Sequence, residues 1–212
     1  MLTLEAMTGP ELRGLVENGA RTVVIPFGSV EQHGGHLPLG TDAVLADFVG
    51  QAVADRLGAV LAPTLRVGCA DQHMDVMGTL TMPAETLRSV AFHVARSLVT
   101  NGFRVIVLVS THGGNQLALE EAARELDEQC RDVVACAPRG DVGPDPGAHS
   151  GKWLTSVMLA LRPDLVDAEA ADASLIDEVR SATRGDGADH LERFISSVVQ
   201  RARDAVSRSG TG

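Results

Sequence analysis

Arg104-Val105-Ile106-Val107-Leu108-Val109-Ser110-Thr111-His112-Gly113-Gly114-Asn115 is the stretch that decides the fold. Its first six residues are almost all β-branched or apolar and show no alternation, as burial on both faces of a parallel sheet requires. Parallel neighbours need long crossovers, so helices must lie before and after it. Upstream, residues 84–99 form a helix opened by Pro83 and stopped by Asn101-Gly102. Downstream, an Ala-, Glu- and Leu-rich helix runs from 116 to 130 and leads into a strand at 133–136.

The same alternation continues outward. Thr8, Pro10 and Glu11 open a helix, Gly19 stops it, and Thr22-Val23-Val24-Ile25-Pro26-Phe27 follows as a strand. A helix capped by Asp42 runs to 57 on Leu45, Phe48, Val49, Val53 and Leu57, and residues 59–62 form the next strand. Strands alternating with helices predict an α/β fold, a three-layer α/β/α sandwich with a mainly parallel sheet. From 152 onward only helices are expected: an apolar one around 157–161, an amphipathic one from 189 to 206 on Leu191, Phe194, Ile195, Val198 and Val199, and a flexible tail at 207–212. One domain over residues 1–212 accounts for the length.

Composition narrows the function. A net charge of -10 repels phosphate backbones and anionic lipid, so neither nucleic acid nor membrane is an expected partner. The chain has no apolar run of about eighteen residues, and MLTLEAMTGPEL carries acids where a secretory signal carries Lys or Arg, so the cytoplasm is expected. Cys69, Cys130 and Cys136 have no paired spacing and are expected as reduced, mostly buried thiols.

Ligands bind outside the carboxyl ends of strands in such sheets. Four loops emerge there. The first, residues 28–41, is too rich in glycine for a regular element and brings Glu31, His33 and His36, with Asp42 at its end. The second brings Cys69, Asp71, His73 and Asp75, the third His112 and Asn115, and the fourth Asp145 and His149. Five of the seven histidines fall in these loops, and imidazoles mixed with carboxylates on one rim are the ligand set of zinc, manganese or iron. His93, within a helix, and His190, beside Asp189, have packing or solvent roles instead. Glu31 and His33 are two apart, so in extended chain they leave on one face. Asp42 has two readings: a helix cap, or a carboxylate bridging two cations about 3.5–4 Å apart. Gly113-Gly114 lets backbone or substrate approach His112, without the lysine of a phosphate loop.

The run Gly28-Ser29-Val30-Glu31-Gln32-His33-Gly34-Gly35-His36-Leu37-Pro38-Leu39-Gly40-Thr41-Asp42 resembles the signature of the creatininase family, the creatinine amidohydrolases. Gly78-Thr79-Leu80 after His73, His112-Gly113-Gly114-Asn115, and His149-x-Gly151 before Thr155-Ser156 extend the likeness over about residues 8–165. The resemblance implies a layered α/β/α fold and a metal-dependent amidohydrolase with one or two divalent ions. It places Glu31, Asp42 and His112 at one metal and His33 with Asp42 at a second, Asp42 bridging. Water activated there attacks an amide or lactam carbonyl, and His149 binds substrate or moves a proton. His36, His73, Asn115 and Trp153 are expected to contact substrate, Trp153 as an apolar wall unless it fills core. Family members often form hexamers, so a homo-oligomer is expected. The compact length and the short connection from 138 to 149 look most like members of the mycofactocin system, which trim a modified peptide.

The chain also departs from the family. Relatives commonly read His-Ala-Gly-Glu-x-Glu-Thr-Ser where this chain reads His149-Ser150-Gly151-Lys152-Trp153-Leu154-Thr155-Ser156. Creatininase has a glutamate two residues after the third-strand histidine, completing the second site; Gly114 stands here. Gln72 and Met77 replace a common Glu and Pro. Lys152 is expected to be catalytic, its ammonium replacing part of a cation's charge or, if deprotonated, acting as base. Two other readings compete: a metal- or ligand-binding homologue without turnover, and a cysteine hydrolase using Cys69 and His73.

Overall fold

The computed structural model describes residues 2–144 and 147–208. Its strands are β1 (Thr22–Phe27), β2 (Val60–Leu61), β3 (Val105–Ser110) and β4 (Val134–Cys136). They form one sheet in the order β2-β1-β3-β4, and every pairing is parallel. The centre is β1 against β3, in register from Thr22 opposite Val105 to Phe27 opposite Ser110. The α-helices are α1 (Gly9–Glu17), α2 (Thr41–Leu57), α3 (Ala84–Thr100), α4 (Gln116–Gln129), α5 (Lys152–Leu161), α6 (Ile176–Arg180) and α7 (Arg184–Arg208).

Both faces of the sheet are buried, which explains why the central strands lack alternation in hydrophobicity. Val23, Ile25 and Phe27 of β1 and Ile106 and Leu108 of β3 pack with Leu87 and Phe92 of α3 and Leu119 and Leu126 of α4, with Leu12 and Val16 of α1 at the edge. Their neighbours Val24, Val107 and Val109 point the other way, into Leu45, Val49 and Val53 of α2 and Leu191, Phe194 and Ile195 of α7. Each such fully buried side chain contributes about 1.5–3 kcal/mol. Helices thus cover both sides of the sheet, giving the α/β sandwich the sequence predicts.

The boundaries differ from expectation where a side chain intervenes. Asp42 is not the cap of α2: Gly40 holds the N-cap position, the helix starts at Thr41, and no side chain caps it. The last helix begins at Arg184 rather than 189, because Thr183 Oγ1 accepts from the Asp186 amide at 3.0 Å and secures an earlier first turn. Gly187 suits that turn, since a Cβ there would strike the Ser156 carbonyl of α5. At the other end α7 includes Ser207 and Arg208, where a tail is expected; residues 209–212 lie outside the described residues, as does Asp145.

Candidate metal centre

Because all strands run parallel, their carboxyl ends share one rim, and β1 and β3 deliver their loops side by side. Gly28, directly after β1, lets the first turn of α2 close in: a Cβ at Gly28 would lie 2.6 Å from Ala43 Cα. This close approach brings Asp42 to the strand ends, where the Thr111 hydroxyl donates to the Asp42 carbonyl at 2.8 Å. The Glu31 amide donates to the Leu39 carbonyl at 3.0 Å and folds the first loop back on itself. Glu31, His33, Asp42 and His112 are all buried.

The four side chains converge. His112 Nδ1 lies 3.1 Å from both Glu31 Oε1 and Asp42 Oδ2. His33 Nε2 lies 3.5 Å from Asp42 Oδ1 and 3.9 Å from Glu31 Oε1. Asp42 therefore turns one oxygen to each histidine, the posture of a bridging carboxylate, and its side chain faces the site rather than the helix end.

Backbone acceptors fix the tautomers. His112 Nε2 donates to the Cys69 carbonyl at 2.8 Å, and His33 Nδ1 donates to the Glu31 carbonyl at 3.0 Å. In the neutral rings His112 Nδ1 and His33 Nε2 then carry lone pairs, and both point at carboxylates. With both rings neutral, acceptors face acceptors, and only an added positive charge, a proton or a metal ion, can satisfy them. Accordingly Glu31 Oε1 and Oε2, His33 Nε2 and Asp42 Oδ2 are buried without a hydrogen-bond partner. Leaving such a group unsatisfied costs about 1–3 kcal/mol, more when it is charged, so the set is stable only with a positive charge among its members.

Without a metal, that charge is a proton on His112. Burial works against a charge on His112, but the adjoining Asp42 and Glu31 carboxylates outweigh it and push the imidazole up to about 10. Burial likewise raises the Asp42 carboxyl, and His112 and His33 more than reverse this, holding it below its ordinary value. Glu31, Asp42 and His112 offer ligand atoms that all lie within 4.8 Å of one another. The donor set fits a divalent cation of the zinc, manganese or iron kind.

Beside this group lies a row of imidazoles. His149 stacks on His33 at a centroid distance of 5.0 Å and on His73 at 4.8 Å. His73 Nε2 is 4.0 Å from Glu31 Oε2 and remains partly open to solvent. The buried ligands form the floor of a cleft of about 300 Å³, walled by His149, Val142, Trp153 and Leu154. Trp153 thus lines the cleft and also packs, with its ring 5.8 Å from that of His190.

Other expected site residues lie elsewhere. His36 is buried, with Nε2 3.0 Å from the Ser150 carbonyl and 3.1 Å from Thr155 Oγ1; it ties the first loop to the fourth and is not part of the cleft wall. Asn115 is also a strut: its Oδ1 accepts from the Cys69 amide at 2.8 Å and its Nδ2 donates to the Gly28 carbonyl at 3.0 Å. Lys152 is exposed and its ammonium pairs with Asp186 at 3.3 Å, outside the cleft lining. Asp71 accepts from the Thr81 hydroxyl at 2.7 Å. Burial and then the Asp71 charge push the Cys69 thiol up, away from the thiolate a cysteine hydrolase needs; its carbonyl, not its sulfur, serves the site.

Two groups escape sequence reading. Thr111 holds the α2 turn, as described, and has only its place before His112 to mark it. Glu178 of α6 accepts from the amides of Ala148 at 3.3 Å and Lys152 at 3.1 Å, anchoring the His149 loop to the start of α5 from a distant helix.

A parallel sheet with two carboxylates and two histidines converging at its carboxyl rim makes a candidate metal centre, and comparison with known proteins gives the chain a family. The creatininase profile, described as creatinine amidohydrolase, matches residues 5–211. This chain belongs to the creatininase family. It is 40% identical over 156 residues to the mycofactocin precursor peptide peptidase of Mycobacterium ulcerans, a match covering 68% of this chain and 60% of that protein's length. It is 32% identical over 188 residues to the creatinine amidohydrolase of Pseudomonas putida, covering 76% of this chain and 72% of that one. A crystal structure of creatinine amidohydrolase superposes with a TM-score of 0.80 at 27% identity, over 98% of this chain and 97% of the other.

Proposed function

We propose that this chain is a metal-dependent amidohydrolase that cleaves a C–N amide or lactam bond in a small molecule or a modified peptide. The observation that carries the reading is the buried convergence of Glu31, His33, Asp42 and His112, in which Glu31 Oε1 and Oε2, His33 Nε2 and Asp42 Oδ2 have no hydrogen-bond partner while the rings are neutral. Glu31, Asp42 and His112 would hold a divalent cation, which when bound would supply Lewis acidity for polarising a carbonyl and lowering the pKa of a water.

The residues of the chain do the rest. The Cys69 carbonyl keeps the His112 ring oriented, and the Glu31 carbonyl does the same for His33. Trp153, Val142 and Leu154 form an apolar wall that orients the substrate and excludes water from one side of the cleft. His73 lies outside the cleft lining, but, 4.0 Å from Glu31 Oε2 and partly open to solvent, it is placed to pass a proton between Glu31 and bulk water. A cleft of about 300 Å³ admits a small amide or the end of a peptide but no folded protein. The likeness to the mycofactocin peptidases supports a peptide amide, and that to creatinine amidohydrolase supports a small lactam.

Zinc or manganese is the favoured metal, supported by solved creatininases described as a Zn–Zn type and a Mn form, with iron fitting the same ligands. The reading includes a cytoplasmic homo-oligomer; the exposed Leu39, Met74, Met77 and Leu80 in the loops after β1 and β2 support self-association. Among the described residues no helix is long and apolar enough to cross a membrane. The test is elemental analysis of the purified chain together with hydrolysis of a panel of amides, lactams and short peptides. Bound metal, chelator-sensitive turnover and loss of both in Asp42→Ala are expected. Turnover that survives complete metal removal would overturn the reading, and metal without any turnover would make the chain a binding protein.

A further inference from the structure

Gly114 stands where the family resemblance leads one to expect a glutamate for a second cation. A Cβ on residue 114 would run into the Cys69 carbonyl and lie 2.5 Å from His112 Nε2. The place has therefore not simply lost a side chain: the backbone of the second loop, held there by His112, fills it. The other acceptors for a second cation are nevertheless retained, because His33 Nε2 and Glu31 Oε2 are buried and unpartnered.

The fourth loop supplies a replacement. Glu31, His33 and His149 offer one ligand atom each, all within 4.8 Å of one another. The His149 ring is held in place, since its Nε2 donates to the Gln32 carbonyl at 2.9 Å and its face stacks between His33 and His73. That hydrogen bond fixes the proton on Nε2 and leaves the lone pair on Nδ1, the arrangement of a ligating imidazole. Glu178 steadies the loop from α6. Lys152, paired with Asp186, leaves this space without a competing ammonium.

We propose that His149, in place of a glutamate after the β3 histidine, completes a second divalent-cation site with Glu31 and His33. The inference rests on the metal-centre reading above and adds a ligand to it. Glu31 belongs to both groups, and Asp42 Oδ1 lies 3.5 Å from His33 Nε2, so the two cations would share carboxylates. Two imidazoles and one carboxylate select zinc, iron or manganese over magnesium or calcium, which favour all-oxygen sites.

The experiment is titration of chelator-stripped full-length chain with Mn(II), counting equivalents by elemental analysis after desalting and recording the electron paramagnetic resonance spectrum. Wild type should hold two equivalents with an exchange-coupled spectrum. His149→Ala, with an unchanged circular dichroism spectrum, should hold one and give the uncoupled six-line signal. If His149→Ala still holds two coupled ions, or if wild type holds only one, the inference is overturned while the first site and the proposed function stand. Wild type that holds none overturns both.

Discussion

The metal-free site must exchange a proton for its cation, and the amount can be worked out. With no metal present, His112 Nδ1 sits 3.1 Å from an oxygen of Glu31 and 3.1 Å from one of Asp42, and its imidazole titrates at about 10. Near pH 7 the ring is therefore protonated, and the proton occupies the position a cation needs. Binding must displace it, so one proton leaves with each cation bound to Glu31, Asp42 and His112. Apparent affinity then rises about tenfold per pH unit, about 1.4 kcal/mol, from pH 7 to about 9. Isothermal titration calorimetry of stripped protein with Zn(II), in two buffers of different ionisation heat at pH 7 and 8, measures the proton count directly. Affinity that does not change with pH, or a proton count of zero at both values, would refute this account of the site. Stability of the stripped protein follows the same linkage. The His112 value is raised above its unfolded 6.5, so its contribution is full below about 6.5 and declines until it is lost as pH rises through about 10. Asp42, lowered from 3.8, acts oppositely: its contribution is present above that value and is lost as pH falls through its depressed one.

Two further variants test how the ligands are held. In Gly114→Ala the new methyl must displace the Cys69 carbonyl, releasing the His112 ring from its 2.8 Å bond; loss of such an outer contact lowers metal affinity about 10–100-fold, and the crowding costs about 1–3 kcal/mol. Affinity and denaturation midpoint equal to wild type would count against it. In Asn115→Ala the Cys69 amide and the Gly28 carbonyl lose a buried partner each, so chemical denaturation should show a loss of about 2–5 kcal/mol. A loss below about 1 kcal/mol would mean that the loops hold without this strut.

Much of the fold is legible in the chain because the central strands are buried on both faces and the loops between elements carry distinct glycines and prolines. β1 falls where Thr22-Val23-Val24-Ile25-Pro26-Phe27 suggests, and β3 is displaced by one residue. The rim location of Glu31, His33, Asp42 and His112 is legible too, since it follows from which ends of the strands they leave. Side-chain direction is not. Asn115 and His36 look like substrate ligands in a list of polar loop residues, but whether such a group faces the cleft or braces a loop depends on partners 46 to 119 residues away. The same holds for Lys152, whose acidic partner is on α7, and for the early start of α7, which turns on one hydroxyl at Thr183.

Main-chain carbonyls, rather than carboxylates, orient the histidines around the site. His33, His36, His112 and His149 each commit one ring nitrogen to a carbonyl of Glu31, Ser150, Cys69 or Gln32. A carbonyl accepts and cannot donate, so it sets the tautomer without adding net charge. His33 and His112 turn the remaining nitrogen toward the Glu31 and Asp42 carboxylates, whereas His36 keeps its own buried and unpartnered at a loop junction. What separates ligand from strut is thus the neighbourhood of the second nitrogen, not the residue type or its loop. With only Glu31 and Asp42 as buried anions among the described residues, two cations would leave the site more positive than one built with additional glutamates. A more positive site holds an anionic or oxygen-rich group in the cleft more strongly, so the replacement of Glu by Gly114 and Lys152 bears on substrate charge as well as on metal count.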